Sequence, residues 1–210
     1  QFKKDHPHLL HGSREDPPLF GFWSGLNYDE EEVQDRTFRL LEDICSRYDV
    51  DGIELDWQRH PPHFRCSTRG EDCSDTERDI MTRFHGRLRE MTERIGLERG
   101  RPILTAVRVP ASITCCEAIG LDVIAWLEQD LVDLLCPGEW ELSPWAEWVS
   151  LGKSYDVPVY PSMSWSGSRK RQGPIGTIDG MGLRNFRARA MNAWHAGADG
   201  IQVFNLFDPR

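Results

Sequence analysis

Short apolar runs that alternate with amphipathic segments constrain the fold of this chain more than any other feature. The run at 50–57 follows a segment at 30–47 whose apolar residues recur at helical spacing, and four further runs follow helical patterns in the same way. Strands and helices in this alternation form parallel βαβ units. The predicted strands are 50–57, 103–109, 132–136, 157–161 and 200–205, and the predicted helices are 30–47, 76–96, 119–129, 144–154 and 183–196.

Two features favour a (β/α)8 barrel over a doubly wound sheet. The segments at 50–53 and 198–201 are similar turns into a strand, and repeated βα units are typical of barrels. No glycine-rich phosphate loop follows a predicted strand, which counts against nucleotide-binding sheets. We therefore expect an α/β fold in which residues 1–210 form a single partial TIM-barrel domain. It would comprise about five βα units, the C-terminal part of a barrel, with about three more upstream of Gln1.

Composition argues against several kinds of partner. The 210 residues include 34 acidic and 25 basic side chains, a formal net charge of −9. We expect no nucleic-acid partner, because proteins that bind nucleic acids present basic patches to phosphates. No apolar run approaches the ~20 residues of a membrane-spanning helix. The histidines and cysteines lack the spacing of zinc ligands, so we expect no metal and no cofactor. A carboxylate-rich barrel mouth can bind a divalent ion, so that alternative stays open.

The cysteines fall into two environments. Cys45 and Cys136 lie in apolar periodic runs, so we expect buried thiols. Cys66 and Cys73 lie in a polar, loop-like stretch and could pair if the protein is secreted. The location in the cell stays open.

Two acidic residues inside the first strand are the main candidates for chemistry. Side chains alternate along a strand, so Glu54 and Asp56 share one face, while Ile53, Leu55 and Trp57 share the other. The apolar set should face the helices, with Trp57 buried against one of them, and the two acids should point into the barrel mouth. Burying an acidic side chain costs free energy of folding, so such a residue is usually paired with a cation or takes part in function. They are therefore either a structural ion pair or part of a functional site.

Arg108 is the predicted partner of these acids. It lies at the end of the second strand, on the face that also carries Leu104 and Ala106. If that face is inward, Arg108 lies within salt-bridge reach of Glu54 or Asp56. It would then hold a carboxylate ionised or bind an anionic sugar group.

Further candidates follow the ends of the strands, where barrels place reactive groups. An acid beside an indole suits sugar chemistry, because the acid can take part in cleaving the glycosidic bond and the indole face packs on the sugar ring. Solvated loop residues and core aromatics are the alternatives. The candidates are Arg59 and His60 after the first strand, Glu139, Trp140 and Glu141 after the third, Tyr160 and Trp165 after the fourth, and Asn205 after the fifth.

These positions predict a mechanism with two carboxyl groups. Glu54 or Asp56 would be the general acid, and Glu139 or Glu141 its partner across the cleft, which Trp140 and Trp165 would line. Glycoside cleavage needs one protonated and one ionised carboxyl. A separation of about 5–5.5 Å would predict retention, and about 6.5–9.5 Å inversion.

The segment 51–58 resembles the signature strand of family 18 chitinases, DGxDxDxE. Two positions depart from that motif: Glu54 replaces an aspartate, and Gln58 occupies the position of the proton donor. An amide cannot donate that proton at neutral pH.

A longer series of segments carries a second resemblance: 3–7 with Gly12, 26–28, 47–56, 59–61, 106–110, 119–123 and 194–200. This series resembles the uncharacterised bacterial glycoside-hydrolase-like barrel proteins of the family-10-like group. The resemblance implies a (β/α)8 barrel that acts on carbohydrate. In the usual barrel hydrolases an acid ends the fourth strand and a nucleophile the seventh. If Glu54 and Asp56 end the fourth strand here, 160–165 end the seventh, and that segment has no carboxylate.

Three functions therefore stay open. The first is a glycoside hydrolase that acts on a polysaccharide, favoured by the acids at the barrel mouth and the tryptophan-rich loops. The second is a carbohydrate-binding barrel without catalysis, favoured by Gln58. The third is a lyase that uses Tyr160 and Arg108 on uronic acids.

Overall fold

The computed structural model describes residues 2–138, 145–164, 171–173, 176–178 and 183–204. Helices and strands alternate along these ranges. The helices are α1 (Phe2–Asp5), α2 (Glu31–Arg47), α3 (Arg65–Thr68), α4 (Asp75–Arg99), α5 (Ile113–Ala118), α6 (Val123–Glu128), α7 (Trp145–Ser154) and α8 (Leu183–His195), with a 3-10 turn at Pro7–Leu9. The strands are β1 (Gly52–Asp56), β2 (Leu104–Val109), β3 (Leu134–Pro137), β4 (Ser162–Ser164), β5 (Arg171–Gly173), β6 (Gly176–Ile178) and β7 (Gln202–Phe204).

Strands β1, β2, β3, β4 and β7 pair in parallel. β1, β2 and β3 form a three-stranded parallel sheet in which Asp56 pairs with Arg108, and Arg108 with Cys136. A parallel bridge between Leu135 and Val159 joins β3 to the segment before β4, and β4 pairs in parallel with β7. The fold is therefore mixed α/β with parallel strands, and no closed barrel is present within the described ranges.

The core lies between the sheet and the helices. Ile53 and Leu55 of β1 are buried there, and so is Val107 of β2. The long helix α4 contributes an apolar face at helical spacing that includes Phe84 and Leu88. This packing leaves the opposite face of the strands to the polar side chains.

The helix ends follow local capping rules. At the start of α4, the Ser74 side chain accepts from the Thr76 amide, and Glu77 closes a capping box. The helix ends at Gly100, whose φ of 75° is the left-handed conformation that glycine adopts without strain. These signals explain why the observed helix begins one residue before the predicted start and runs three residues beyond its predicted end.

The predicted helix at 119–129 is wrong in its bounds. Two short helices, α5 and α6, occupy this region, because Gly120 at a φ of 89° ends the first and Asp122 caps the second. A ring carbon of Phe64 would lie 2.6 Å from a Cβ at position 120, so only glycine fits that turn.

The predicted fourth strand is displaced along the chain. Val159 contributes only a single bridge, and the ladder forms later, over β4. Pro158 and Pro161 have no amide hydrogen, which limits pairing between 157 and 161. Between the predicted strand at 157–161 and the predicted helix at 183–196, the structure has the antiparallel pair β5 and β6, which was not predicted.

Two other expectations can be checked against the described ranges. Cys45 and Cys136 are buried, as predicted. None of the helices in these ranges combines the length and apolar character needed to cross a bilayer.

Candidate functional site

The alternation of β1 separates its apolar and acidic side chains as predicted. Ile53 and Leu55 are buried, whereas Glu54 is exposed on the other face. Trp57 is 5% exposed and its indole donates a 3.0 Å hydrogen bond to His85 Nε2 on α4. The predicted burial of Trp57 against a helix is therefore confirmed.

Arg108 connects three strands on the polar face. It is 1% exposed, and its guanidinium donates to Asp56 Oδ1 at 2.8 Å and to Ser162 Oγ at 2.8 Å. The guanidinium carbon lies 3.8 Å from the centroid of the Phe204 ring, in cation–π contact. The predicted contact with one of the acids is confirmed, and the acid is Asp56.

Glu54 lies beside this ion pair in a different environment. Gln202 of β7 donates a hydrogen bond to Glu54 Oε2. Neighbouring atoms displace water from the carboxyl and raise the pKa of Glu54, and the charge of Asp56 raises it further. Arg108 and the Gln202 hydrogen bond oppose that shift. Glu54 therefore keeps its proton to higher pH than an ordinary glutamate, which is the property of a general acid.

Gln58 follows the strand and is buried against Gly138. Its backbone amide donates to Asp56 Oδ1 at 3.2 Å, while its side-chain oxygen has no hydrogen-bond partner among the described residues. A Cβ at position 138 would overlap that oxygen, so any other residue there would displace the Gln58 amide. At position 58 the chain thus has a buried, tightly packed amide.

A cavity of about 330 Å³ opens next to Asp56. Arg59 and His60, both predicted to bind substrate, are exposed and line it. Phe22 also lines the cavity, and its ring meets the His60 ring edge-on at 5.3 Å. The cavity combines a carboxylate, basic groups and an exposed aromatic ring, which suits a polar ligand with flat apolar faces.

His63 lines the same cavity but has a structural role. It is buried, and its Nε2 donates a 2.8 Å hydrogen bond to the Trp57 carbonyl. Burial lowers the pKa of His63 to about 4, so the ring is neutral at pH 7.

A larger cavity, of about 540 Å³, lies at the opposite end of the strands, next to Leu104. Asp133, one of the two carboxylates that line it, forms a two-point ion pair with Arg89 and accepts a hydrogen bond from the Thr105 amide. These contacts hold the sheet to α4, so we place the candidate site at the Asp56 end.

Of the other predicted site residues, the structure describes only Tyr160. The Tyr160 ring packs against Gly200, where a Cβ would lie 2.7 Å from it. The remaining candidates lie outside the described residues, so the predicted partnership of two carboxyls across the cleft stays a prediction. Those candidates are Glu139, Trp140, Glu141, Trp165 and Asn205.

Sequence reasoning missed Ser162 and Phe204 as partners of Arg108. Both lie near strand ends, but neither residue type signals a site without the structure. It also did not predict the hydrogen bond that the Gln202 amide donates to Glu54.

One group of described side chains could hold a metal ion. His6, His8 and Glu32 bring their ligand atoms within 4.8 Å of one another, with His6 Nδ1 3.5 Å from Glu32 Oε1. The residues are at the chain surface and none is a predicted site residue. The absence of a metal therefore stays an expectation.

Comparisons with known proteins show a likeness of fold to a chitinase-like agglutinin. No protein-family model matches the sequence, and no curated protein matches it. A chitinase-like agglutinin from Robinia pseudoacacia aligns over 84% of this chain and 69% of its own, with a TM-score of 0.55 and 9% identity.

Two enzymes align less well. A glycoside hydrolase family 18 N-acetylglucosaminidase from Paenibacillus barengoltzii aligns over 66% of this chain and 46% of its own, with a TM-score of 0.44 and 15% identity. A chitinase from Bacillus thuringiensis aligns over 72% of this chain and 30% of its own, with a TM-score of 0.44 and 14% identity. The chain thus spans less than half the length of either enzyme. At these identities the comparisons concern the fold alone.

Proposed function

We propose that this chain is part of a (β/α)8 barrel that acts on carbohydrate, as a glycoside hydrolase with Glu54 as its general acid. The observation that carries the proposal is the contrast between two neighbouring carboxyls. Asp56 is in a salt bridge with Arg108, while the pKa of Glu54 is raised by loss of water and by the charge of Asp56. A carboxyl with a raised pKa is what the general acid of a glycosidase needs.

In the proposed reaction, protonated Glu54 donates its proton to the glycosidic oxygen as the bond to the sugar breaks. Gln202 orients the carboxyl through its hydrogen bond to Oε2. Asp56 is already engaged by Arg108 and the Gln58 amide, so it positions the site instead of attacking the sugar. The second carboxyl would be Glu139 or Glu141, which follow β3, the strand next to β2.

Substrate would reach Glu54 and Asp56 through the cavity beside Asp56. Phe22 offers an exposed ring on which a sugar can pack, and Arg59 and His60 offer hydrogen-bond donors. Tyr160, Trp140, Trp165 and Asn205 complete the proposed substrate contacts. Arg108 does not contact the substrate in this proposal, because it is buried and its Nη1 and Nε donate to Asp56 and Ser162.

A carbohydrate-binding barrel without catalysis is the second candidate, and Gln58 favours it. A buried amide occupies the position that resembles the chitinase proton donor. The uronic-acid lyase has less support, since Arg108 is 1% exposed and unable to reach a sugar carboxylate without breaking its ion pair.

One screen separates these functions. The full-length protein is incubated with neutral and uronic-acid polysaccharides, and reducing ends, ultraviolet absorbance of unsaturated products and retention on immobilised polymer are recorded. New reducing ends without unsaturated products are the result expected of a hydrolase. Unsaturated products would indicate a lyase, and retention without any product would indicate a binding barrel.

A further inference from the structure

Two cysteine sulfurs lie in contact on the segment that follows β1. Cys66 Sγ of α3 is 3.1 Å from Cys73 Sγ, which lies one residue before the cap of α4. Both are thiols in this structure.

The backbone on both sides holds the two sulfurs together. The Cys73 amide donates to the Ala118 carbonyl at 2.9 Å, and the Cys73 carbonyl accepts from Arg78 at 2.9 Å. On the other side, the Glu71 amide donates to the Cys66 carbonyl at 3.2 Å. The turn between the cysteines passes through Gly70, whose φ of 84° suits glycine. The contact therefore depends on local structure, and a covalent bond would need only a small further approach.

The environment of the pair leaves one sulfur open to reagents. Cys73 is 4% exposed, whereas Cys66 is partly exposed. A small oxidant would therefore reach Cys66 first, and Cys73 lies behind it in position to resolve the product.

We propose that Cys66 and Cys73 form a disulfide when a low-molecular-weight disulfide such as oxidised glutathione is present. The Cys66 thiolate attacks one glutathione sulfur, the S–S bond of glutathione breaks, and one glutathione thiol leaves. The Cys73 thiolate then attacks Cys66 Sγ, and the second glutathione leaves as a thiol. The protein loses two protons and two electrons, and the oxidant gains them.

The disulfide would fasten the segment that follows β1, which carries Arg59 and His60, to the start of α4. This inference does not depend on the proposed carbohydrate activity. Burial raises the pKa of both thiols, so the exchange becomes faster as the pH rises toward the range in which they ionise.

Peptide mapping tests the proposal directly. Trypsin cleaves after Arg65, Arg69 and Arg78 and so places the two cysteines in separate peptides, 66–69 and 70–78. After treatment with oxidised glutathione, alkylation of remaining thiols and digestion without reductant, we expect these two peptides to be recovered joined. Recovery of the two peptides separately, alkylated or carrying glutathione, would overturn the proposal.

Variants provide the controls. Cys115→Ser removes an exposed cysteine and should leave the joined peptide unchanged. Cys66→Ser should abolish it. Oxidation should also raise the Tm of the unsubstituted chain by about 5 °C, and Cys66→Ser should remove that rise. If Cys66→Ser fails to fold, the map of the unsubstituted chain still decides the question.

Discussion

Arg108 is the residue on which the arrangement of the candidate site depends most. It comes from β2, yet its partners Asp56, Ser162 and Phe204 come from β1, β4 and β7. A guanidinium that is almost fully buried needs these hydrogen bonds and the ring contact to offset its lost hydration. The ion pair is therefore a condition for the local structure as well as for the electrostatics of Glu54.

Arg108→Met should destabilise the protein by about 3 kcal/mol, because it leaves the partly buried Asp56 without its cation. Urea denaturation followed by circular dichroism measures the change. Arg47→Met, which breaks an exposed pair with Asp43, is the control and should cost at most about 0.5 kcal/mol. Equal effects of the two substitutions would refute this role of Arg108.

Gly138→Ala should destabilise the protein by about 1–3 kcal/mol, because the new Cβ overlaps the Gln58 amide. Adding Gln58→Ala should recover part of that loss, which a double-mutant cycle in urea would show. Gly86→Ala is the matched control. Its Cβ meets no atom within 4 Å in the middle of α4, so it should stabilise the protein by up to about 1 kcal/mol. A loss in the control as large as that at position 138 would show that the overlap is not the cause.

At the scale of elements, β1 and α4 are held together by an aromatic cluster with a polar centre. The Trp57 indole donates to His85 Nε2, and the His85 ring stacks on Trp126 with centroids 4.0 Å apart. Since Nε2 accepts that bond, the packed form of His85 is neutral. Burial lowers the pKa of His85 to about 3.

This cluster predicts loss of stability in acid. An unfolded histidine takes up a proton near pH 6.5, whereas folded His85 does so only near pH 3. Between these values the unfolded chain binds more protons, so stability falls as the pH is lowered, by about 1.4 kcal/mol per unit for such a group. His63, with a pKa of about 4, adds to the effect.

His85→Gln should reduce the slope of unfolding free energy against pH between 4 and 6.5, and His195→Gln, at an exposed position of α8, should leave it unchanged. Urea denaturation at several pH values measures both slopes. An unaltered slope in His85→Gln would contradict the assignment of a neutral buried ring.

The elements that the sequence predicts best are those with strong local patterns. α2 and α4 carry apolar residues at helical spacing with acidic first turns, and β1 alternates acids with apolar residues. The break at Gly120 was missed because it depends on the ring of Phe64, which lies far away in the sequence. The displacement of the fourth strand depends on prolines at 158 and 161, whose missing donors matter only once the pairing is known.

At the scale of the whole molecule, the site depends on strands that are far apart in the sequence. Glu54 and Asp56 could be assigned to one face from alternation alone, and so could Arg108. The contacts of Ser162, Gln202 and Phe204 could not, because they require β4 and β7 to bring their side chains to the same polar face as β1. Local patterns thus predict which side chains share a face, and only the packing of strands shows which of them meet.

The turnover of Glu54→Gln on a polysaccharide that the full-length protein cleaves tests the central claim most directly. The amide keeps the size of the side chain but has no proton to donate, so kcat/KM should fall by about 10²–10⁴-fold while binding to the polymer persists. Glu90→Gln, at an exposed position of α4, should retain full activity. Unchanged kcat/KM in Glu54→Gln would contradict the assignment of Glu54 as the general acid.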